Sequence, residues 1–332
     1  MIAYDWLPIT YLALFALSFC IPLQSVSQAG RYRTLAILKR VSVGGIAQAK
    51  DGKFGDVLLA DVLTSYAKVL GDLFVSLCMF FSQGGSATKV PDRNCGGEFL
   101  VPLILSIPSL IRLRQCIIEY LRVREDLRGS GRMQQQHSGW GGQHLANALK
   151  YASAFPVIIL SALQRKMSLD HESVGLSSTG LYRAWLAAVM VNSFYSFWWD
   201  IMKDWDLTLF STKRDNVGQH YGLRRTLTFR NPNLYYFAMG LDFVLRCTWS
   251  LKLSPHLDHF NDLEGGIFMM ELAEVFRRWV WIFLRVETEW VREQNKGGPA
   301  GDDVLLGNYD NGKGDMDEEF EDEEDGDRLL SF

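Results

Sequence analysis

The chain has 332 residues, a formal net charge of -4 and hydrophobic residues at 48% of its positions. Such averages are typical of a soluble globular protein of one or two domains, but they hide two very different regions. Residues 301–332 hold thirteen aspartates and glutamates against Lys313 and Arg328, a net charge of about -11, which leaves about +7 on an apolar remainder and disfavours a water-soluble monomer.

Seven segments are apolar and long enough to cross a membrane, which takes roughly 20 helical residues. A cleaved signal peptide is not expected, because Asp5 is the only charge near the first segment and no Ala-x-Ala site follows it. We therefore predict an all-α polytopic membrane helix bundle with about seven transmembrane helices. The predicted spans are Trp6–Leu23, Val57–Phe81, Phe99–Tyr120, His144–Leu163, Leu181–Trp199, Tyr235–Leu253 and Ile267–Val286.

The predicted organisation follows from these spans. Residues 1–24 hold the first helix, 25–55 a basic cytoplasmic loop, and 56–294 the main helix bundle. Residues 295–332 form an acidic tail that cannot bury enough apolar surface to order itself, so we predict that it is disordered. Within the basic loop, Arg31–Val43 is amphipathic and is predicted to lie on the membrane surface.

The loops alternate between rich and poor in lysine and arginine along the chain. The first, third and fifth loops are rich in cations, whereas the second has only Lys89 and Arg93 and the sixth has none. Because short cation-rich loops stay on the cytoplasmic side, we predict a lumenal N-terminus and a cytoplasmic tail.

Charged side chains inside the spans indicate a function, because each raises the free energy of insertion by about 2.5–3.5 kcal/mol at a helix centre. Five cations come from four predicted helices and could meet in one cavity: Arg112, Lys150, Arg246, Arg277 and Arg278. Guanidinium and ammonium groups bind the oxygens of tetrahedral oxyanions, so we predict an anion path, for phosphate or sulfate above all. Carboxylates on the path, Asp61, Asp200 and Asp204, would keep an anion from binding too tightly to leave.

Helical spacing predicts particular neighbours. Asp200 and Asp204 are four residues apart and share a helix face, and Arg246 has Trp249 as its i,i+3 neighbour. Asp242 with Arg246, and Glu274 with Arg278, are spaced as i,i+4 ion pairs. Two interpretations of Asp242 and Glu274 remain open: structural neutralisation of the arginines, or a part in the anion path.

Six segments resemble, in order, the EXS family, the membrane domain of the retrovirus-receptor phosphate exporters and of the yeast ER-retention-defective protein. They are FGDVLLADVLTS (54–65), RLRQC (112–116), NALKYASAF (147–155), WDIMKDW (199–205), YYFAMGLDFVLRCTW (235–249) and EVFRRWVWIFLRVETE (274–289). The resemblance implies a phosphate path lined by Asp61, Arg112, Lys150, Tyr151, Asp200, Asp204, Arg246, Trp249, Arg277 and Arg278. Thr64 stands where the exporters more often have asparagine, and its hydroxyl can still donate and accept a hydrogen bond.

The resemblance further implies an inorganic phosphate transporter of the Golgi membrane. It would move phosphate from lumen to cytosol and support glycosylation and the retention of Golgi and ER proteins; the ER and the plasma membrane are the alternative locations. Because the chain starts close to its first span, we do not expect the SPX domain of the large exporters. No enzyme activity, cofactor, metal site or nucleic-acid partner is predicted, and a homodimer is left open.

A second hypothesis is a sorting factor whose membrane charges are structural. It would bind Golgi glycosyltransferases or vesicle-coat adaptors. Asp325, Leu329 and Leu330 fit the acidic dileucine pattern that coat adaptors recognise. A solvated acidic tail without any signal is the alternative interpretation of these residues.

Overall fold

The computed structural model describes residues 6–20, 28–48, 52–82, 95, 99–129, 141–169, 178–210, 220–247 and 264–295. Within these ranges the chain is all-α and has no β-strand. A short π-helix, Asp200–Asp204, directly follows α8. The α-helices are α1 (Leu7–Cys20), α2 (Gln28–Ser42), α3 (Lys53–Ser65), α4 (Ala67–Phe81), α5 (Leu100–Gly129), α6 (Gly142–Ala152), α7 (Ala154–Leu169), α8 (Ser178–Trp199), α9 (Pro232–Arg246) and α10 (Glu264–Asn295).

The helices confirm the prediction of an all-α membrane protein, and each predicted span overlaps at least one of them. Two continuous helical stretches, Leu100–Glu125 and Gly142–Met167, are long and apolar enough to cross a membrane. The pair α3 and α4 is a third candidate if it forms one bent span. The count of seven spans stays a prediction, and the acidic tail from residue 296 onward lies outside the described residues.

The sixth predicted span differs from the helix that forms there. We expected helix as far as Leu253, but α9 ends at Arg246. The N–H of Cys247 donates to the carbonyls of Phe243 and Val244, both at 3.1 Å. These bonds close the last turn and satisfy carbonyls that would otherwise lack a partner at the helix end. Arg246 therefore lies in the final turn of α9.

Several helices are interrupted close to the charged residues. Helices α3 and α4 meet at Tyr66 with a bend of 61°, and α6 and α7 meet at Ser153. Pro108, one turn before Arg112, removes a hydrogen bond from the interior of α5. Irregular backbone at membrane depth is tolerated where it is buried in protein or lines a polar cavity. These breaks therefore indicate a functional interior rather than a plain lipid-facing bundle.

An apolar cluster joins the segment after the π-helix to α9 and α10. Its largest buried side chains are those of Trp205, Trp281 and Tyr235. Arg224, which the sequence places in a cytoplasmic loop, is buried beside this cluster and forms an ion pair with Glu287 at 2.6 Å. The pair fixes the segment after residue 220 against the C-terminal half of α10.

A disulfide between Cys78 and Cys95 ties the end of α4 to the residues that precede α5. The five cysteines of the sequence have no paired spacing that would indicate this disulfide. The two partners lie 17 residues apart, Cys78 in α4 and Cys95 within the cation-poor second loop. Their proximity depends on how α4 packs against α5, which composition alone does not reveal.

Candidate functional site

Five cations and five carboxylates meet in one buried region between α3, α5, α6, the π-helix, α9 and α10. The formal charge of this set is zero, so the residues can stay ionised inside the protein. The cations predicted from sequence all take part. The set comprises Arg112, Lys150, Arg246, Arg277 and Arg278 with Asp61, Asp200, Asp204, Asp242 and Glu274.

The first group lies where α3, α5 and α6 meet. Arg112 Nε donates to Asp61 Oδ1 at 2.8 Å, and Arg112 Nη2 donates to the Tyr151 hydroxyl at 3.2 Å. The Tyr151 hydroxyl in turn donates to Asp61. Gln115 completes the set, because its Oε1 accepts from Arg112 Nη1 at 2.7 Å. The guanidinium is 2% exposed, so these partners fix its orientation.

The second group lies where α6 meets the π-helix. Lys150 Nζ lies 2.9 Å from Asp200 Oδ1 and 3.3 Å from Asp204 Oδ2. The predicted common face of the two aspartates is confirmed, since one ammonium group binds both. The π-helix has a wider backbone turn than an α-helix. The Trp205 N–H donates to the Asp200 carbonyl, five residues back, at 2.8 Å. π-Helical turns of this kind frequently occur at functional sites.

The third group joins α9 and α10. Arg277 Nη1 lies 2.8 Å from Asp242 Oδ1, and Arg246 Nε lies 3.1 Å from Asp242 Oδ2. The Arg246 guanidinium also binds Asp200, which connects this group to Lys150. The expected pair of Asp242 with Arg246 is thus confirmed, and Asp242 holds a second arginine besides.

The expected pairing of Glu274 with Arg278 is wrong. Glu274 binds Arg277 instead, three residues along α10, through two hydrogen bonds of 2.9 and 2.5 Å. The i,i+3 and i,i+4 positions are both neighbours on a helix face, and helical spacing alone does not choose between them. The choice follows from Asp242, which holds the Arg277 guanidinium on the side of α10 where Glu274 lies.

Arg278 has a different environment from the other four cations. Its Nε donates to Ser65 Oγ at 2.7 Å, and its Nη2 donates to Thr64 Oγ1 at 3.2 Å. The guanidinium carbon lies 4.6 Å from the centre of the Trp281 ring. Within the described part of the chain no carboxylate lies within 4 Å of it, although the residue is only 7% exposed. Its direct contacts are therefore hydroxyl groups and a ring face, whereas Asp200, Asp61 and Glu274 act on its charge from more than 4 Å away.

This arrangement is suited to hold an anion. A buried cation without a counter-ion attracts an oxyanion strongly, and a guanidinium can offer two parallel N–H groups to two oxygens. The Ser65 hydroxyl can donate to an anion, and the Thr64 hydroxyl, which donates to the Asp61 backbone carbonyl, can accept from a protonated one. The carboxylate-bound cations nearby could exchange partners with a passing anion, because each already binds oxygen atoms.

A family model for the EXS family matches residues 1–291. The chain belongs to the EXS family. Protein ERD1 homolog 2 of Schizosaccharomyces pombe is 31% identical over 241 residues, 70% of this chain and 54% of the relative. Protein ERD1 of Kluyveromyces lactis is 31% identical over 258 residues, 73% of this chain and 60% of the relative. Solute carrier family 53 member 1 of Mus pahari is 29% identical over 241 residues, 71% of this chain and 32% of the relative.

The chain therefore spans a little over half the length of the ERD1 relatives it matches. The sequence blocks that resemble the EXS family coincide with the walls of the charged region. They fall on α3, α5, α6, the π-helix, α9 and α10, the elements that supply its ten charged side chains.

Two residues of the site were not predicted from sequence. Ser65 binds Arg278, and Gln115 binds Arg112. Each follows a signal that was present, since Ser65 adjoins Thr64 and Gln115 is three residues from Arg112 on the same helix. Uncharged polar residues are common in membrane spans, and their insertion free energy is too low to single them out as functional candidates. Four predicted residues lie outside the described part of the chain, namely Trp249, Asp325, Leu329 and Leu330, so the sorting signal stays a prediction.

Proposed function

We propose that this protein carries inorganic phosphate across the Golgi membrane, from lumen to cytosol, through the charged region around Arg278. A transporter needs an anion site that is buried yet not permanently neutralised. Arg278 meets both conditions, and this is the observation that carries the proposal. The membership of the EXS family and the similarity to a protein named as a solute carrier support it.

Phosphate suits the site better than sulfate does. Phosphate keeps a proton at neutral pH and can donate a hydrogen bond, whereas sulfate cannot. The Arg278 guanidinium can bind two deprotonated oxygens, and a carboxylate such as Asp61 can accept from the protonated one. Asp61 and Thr64 lie on the same helix, three residues apart, with the Thr64 hydroxyl donating to the Asp61 carbonyl at 2.7 Å.

Transport is tested with the purified full chain in liposomes. We expect uptake of labelled phosphate well above that of protein-free vesicles, with unlabelled phosphate competing better than unlabelled sulfate. Varying the pH on each side independently then reports whether protons move with the anion. The folding control is size-exclusion chromatography, in which the purified protein should elute as a single monodisperse species. Uptake no greater than in empty vesicles from such protein would contradict the proposal.

The orientation of the chain also has structural support. The disulfide of Cys78 and Cys95 lies at the N-terminal end of α5, and structural disulfides persist in oxidising compartments such as the secretory lumen. The cation-rich first loop contacts the opposite half of α5, where Arg122 donates to the carbonyls of Ile46 and Ala47. We infer that the disulfide end faces the lumen and the other end the cytosol, in agreement with the loop charges.

Thiol labelling tests this orientation. We expect Cys78 and Cys95, in a variant with the other three cysteines replaced by serine, to resist maleimide until they are reduced. After reduction in sealed microsomes, a membrane-impermeant maleimide should label them only when the vesicles are opened. Arg33→Cys in a background without native cysteines is the matched control and should react in sealed vesicles. Labelling of the Cys78 pair from outside sealed vesicles would reverse the proposed orientation.

A further inference from the structure

Helix α2 presents an apolar stripe to the outside of the protein. Tyr32 and Leu35 are 66% and 39% exposed. Leu35 and the exposed Ala36 lie three and four residues after Tyr32, which places the three on one helix face, and Val43, directly after the helix, is 66% exposed. The opposite face carries Val41, which is fully buried. The helix thus packs on the protein with one side and leaves an apolar side uncovered.

Cations lie beside this stripe and within it. Arg33 is exposed at its edge, and Lys39, seven residues after Tyr32, is exposed on the same face as the apolar residues. Gln28–Ser42 contains no aspartate or glutamate. An exposed apolar face with lysine and arginine on and beside it can lie in the membrane interface, where the long cationic side chains reach lipid headgroups. The charge therefore favours an anionic surface as the occupant of this face.

The place of α2 in the fold agrees with that occupant. The loop after α2 binds the C-terminal half of α5, the end away from the disulfide. In the proposed orientation this end faces the cytosol, and the cytosolic leaflet is the one rich in anionic phospholipids. The inference rests on the proposed orientation of the chain.

The same loop is bonded to the charged region. The Gly45 carbonyl accepts from Gln115 Nε2 at 2.8 Å, and Gln115 Oε1 accepts from Arg112 Nη1 at 2.7 Å. The Gln115 side chain is fully buried, so it has no water to replace either bond. At the other end of the loop, Asp56 accepts from the Ala47 N–H at 2.7 Å and from Arg40 of α2 at 2.6 and 2.7 Å.

A left-handed turn shapes this loop. Gly44 has a φ of 75°, a conformation that side-chain-bearing residues rarely adopt. It lets the chain reverse directly after α2, so the Gly45 carbonyl faces α5. The position of α2 and the hydrogen bond to Gln115 are consequently linked by only three residues of fixed backbone.

We propose that α2 binds anionic phospholipid headgroups of the cytosolic leaflet, and that Gln115 transmits this attachment to Arg112. When α2 is bound to the membrane surface, it holds the loop of residues 43–47 in place. The loop in turn holds the Gln115 amide, which orients the Arg112 guanidinium. Release of α2 from the membrane surface loosens this support. Anionic lipid is thus a positive effector of transport.

Lipid binding is tested first, without reference to transport. Short-chain phosphatidylserine is titrated into the detergent-solubilised full chain, with phosphatidylcholine as the neutral probe. The double variant Arg33→Gln/Lys39→Gln should lower the phosphatidylserine affinity by about 25-fold, because each surface cation contributes roughly a factor of five. Arg225→Gln/Arg230→Gln, which also removes two exposed cations, is the matched control and should bind as the wild type does. Equal affinity of the wild type and the α2 variant would overturn the proposal.

The link to the site is tested by phosphate flux in vesicles of phosphatidylcholine with or without phosphatidylserine. We expect the wild type to be faster with phosphatidylserine, and Gln115→Leu to bind the lipid normally while its flux no longer responds to it. A Gln115→Leu variant that still responds would overturn the role of Gln115. If the wild type carries no phosphate in either vesicle, the proposed transport function fails, and the lipid titration alone decides whether α2 binds anionic lipid.

Discussion

Arg278→Ala is expected to lower phosphate flux by about 10- to 100-fold while the protein remains folded. The variant removes the one cation of the cluster that binds no carboxylate among the described residues, and hydrogen bonds to a charged group contribute roughly 1.5–3 kcal/mol each. Its former partners, the hydroxyls of Ser65 and Thr64, are neutral, and Thr64 Oγ1 keeps its bond to the Asp61 carbonyl. Flux is measured in proteoliposomes, and folding by thermal unfolding in detergent.

Two further variants make this result specific. Arg278→Lys keeps the charge but loses the two parallel N–H groups, so its flux should fall between those of the wild type and the alanine variant. Arg292→Ala is the matched control on the same helix, because Arg292 is about one-third exposed and contacts Asp206. Its flux should be unchanged. Wild-type flux in Arg278→Ala would mean that the phosphate path lies elsewhere.

Arg277→Ala should instead destabilise the protein by about 3–5 kcal/mol. Arg277 neutralises Asp242 and Glu274 and lies 3.7 Å from Asp200. Removing it leaves the buried Asp242 and the partly exposed Glu274 without enough positive charge, and breaking a buried ion pair such as that with Asp242 from one side has this magnitude. The measurement is the free energy of unfolding, or the midpoint temperature, of the purified protein in one detergent.

Matched variants separate this effect from general damage to α10. Arg277→Lys should recover part of the stability, because it restores the charge but not the bidentate contact with Glu274. The loss should also shrink in Arg277→Ala/Glu274→Gln, which removes one of the stranded charges. If Arg277→Ala unfolds at the wild-type temperature, the carboxylates around it are not held as ions by this arginine.

We propose separable roles for the two adjacent arginines. Arg277, which binds Asp242 and Glu274, joins α9 to α10, whereas Arg278 would offer its charge to a ligand. For Asp242 and Glu274 the contacts favour structural neutralisation over a part in the anion path, since both bind Arg277. A pattern in which Arg277 variants lose stability and Arg278 variants lose flux would distinguish a transport site from a purely structural ion network.

The sequence by itself determined the fold class and indicated which charged residues could form a site. Apolar segments of about 20 residues indicate membrane helices, and the high insertion free energy of a charge singles out Arg112, Lys150 and Arg278 as candidates. These inferences work because they depend on residue type and on position along one helix. The same applies to Asp200 and Asp204, whose spacing alone puts both within reach of a single cation.

Only the tertiary structure decided which charges neutralise one another. Spacing paired Glu274 with Arg278, but Asp242 on a different helix draws Arg277 to Glu274 and leaves Arg278 to Ser65 and Thr64. Which cation can receive an anion thus depends on contacts between residues more than 200 positions apart, such as Arg278 with Ser65. The physical reason is that spacing along one helix gives the possible partners of a charged side chain. The packing of the six elements then selects which of these partners it contacts.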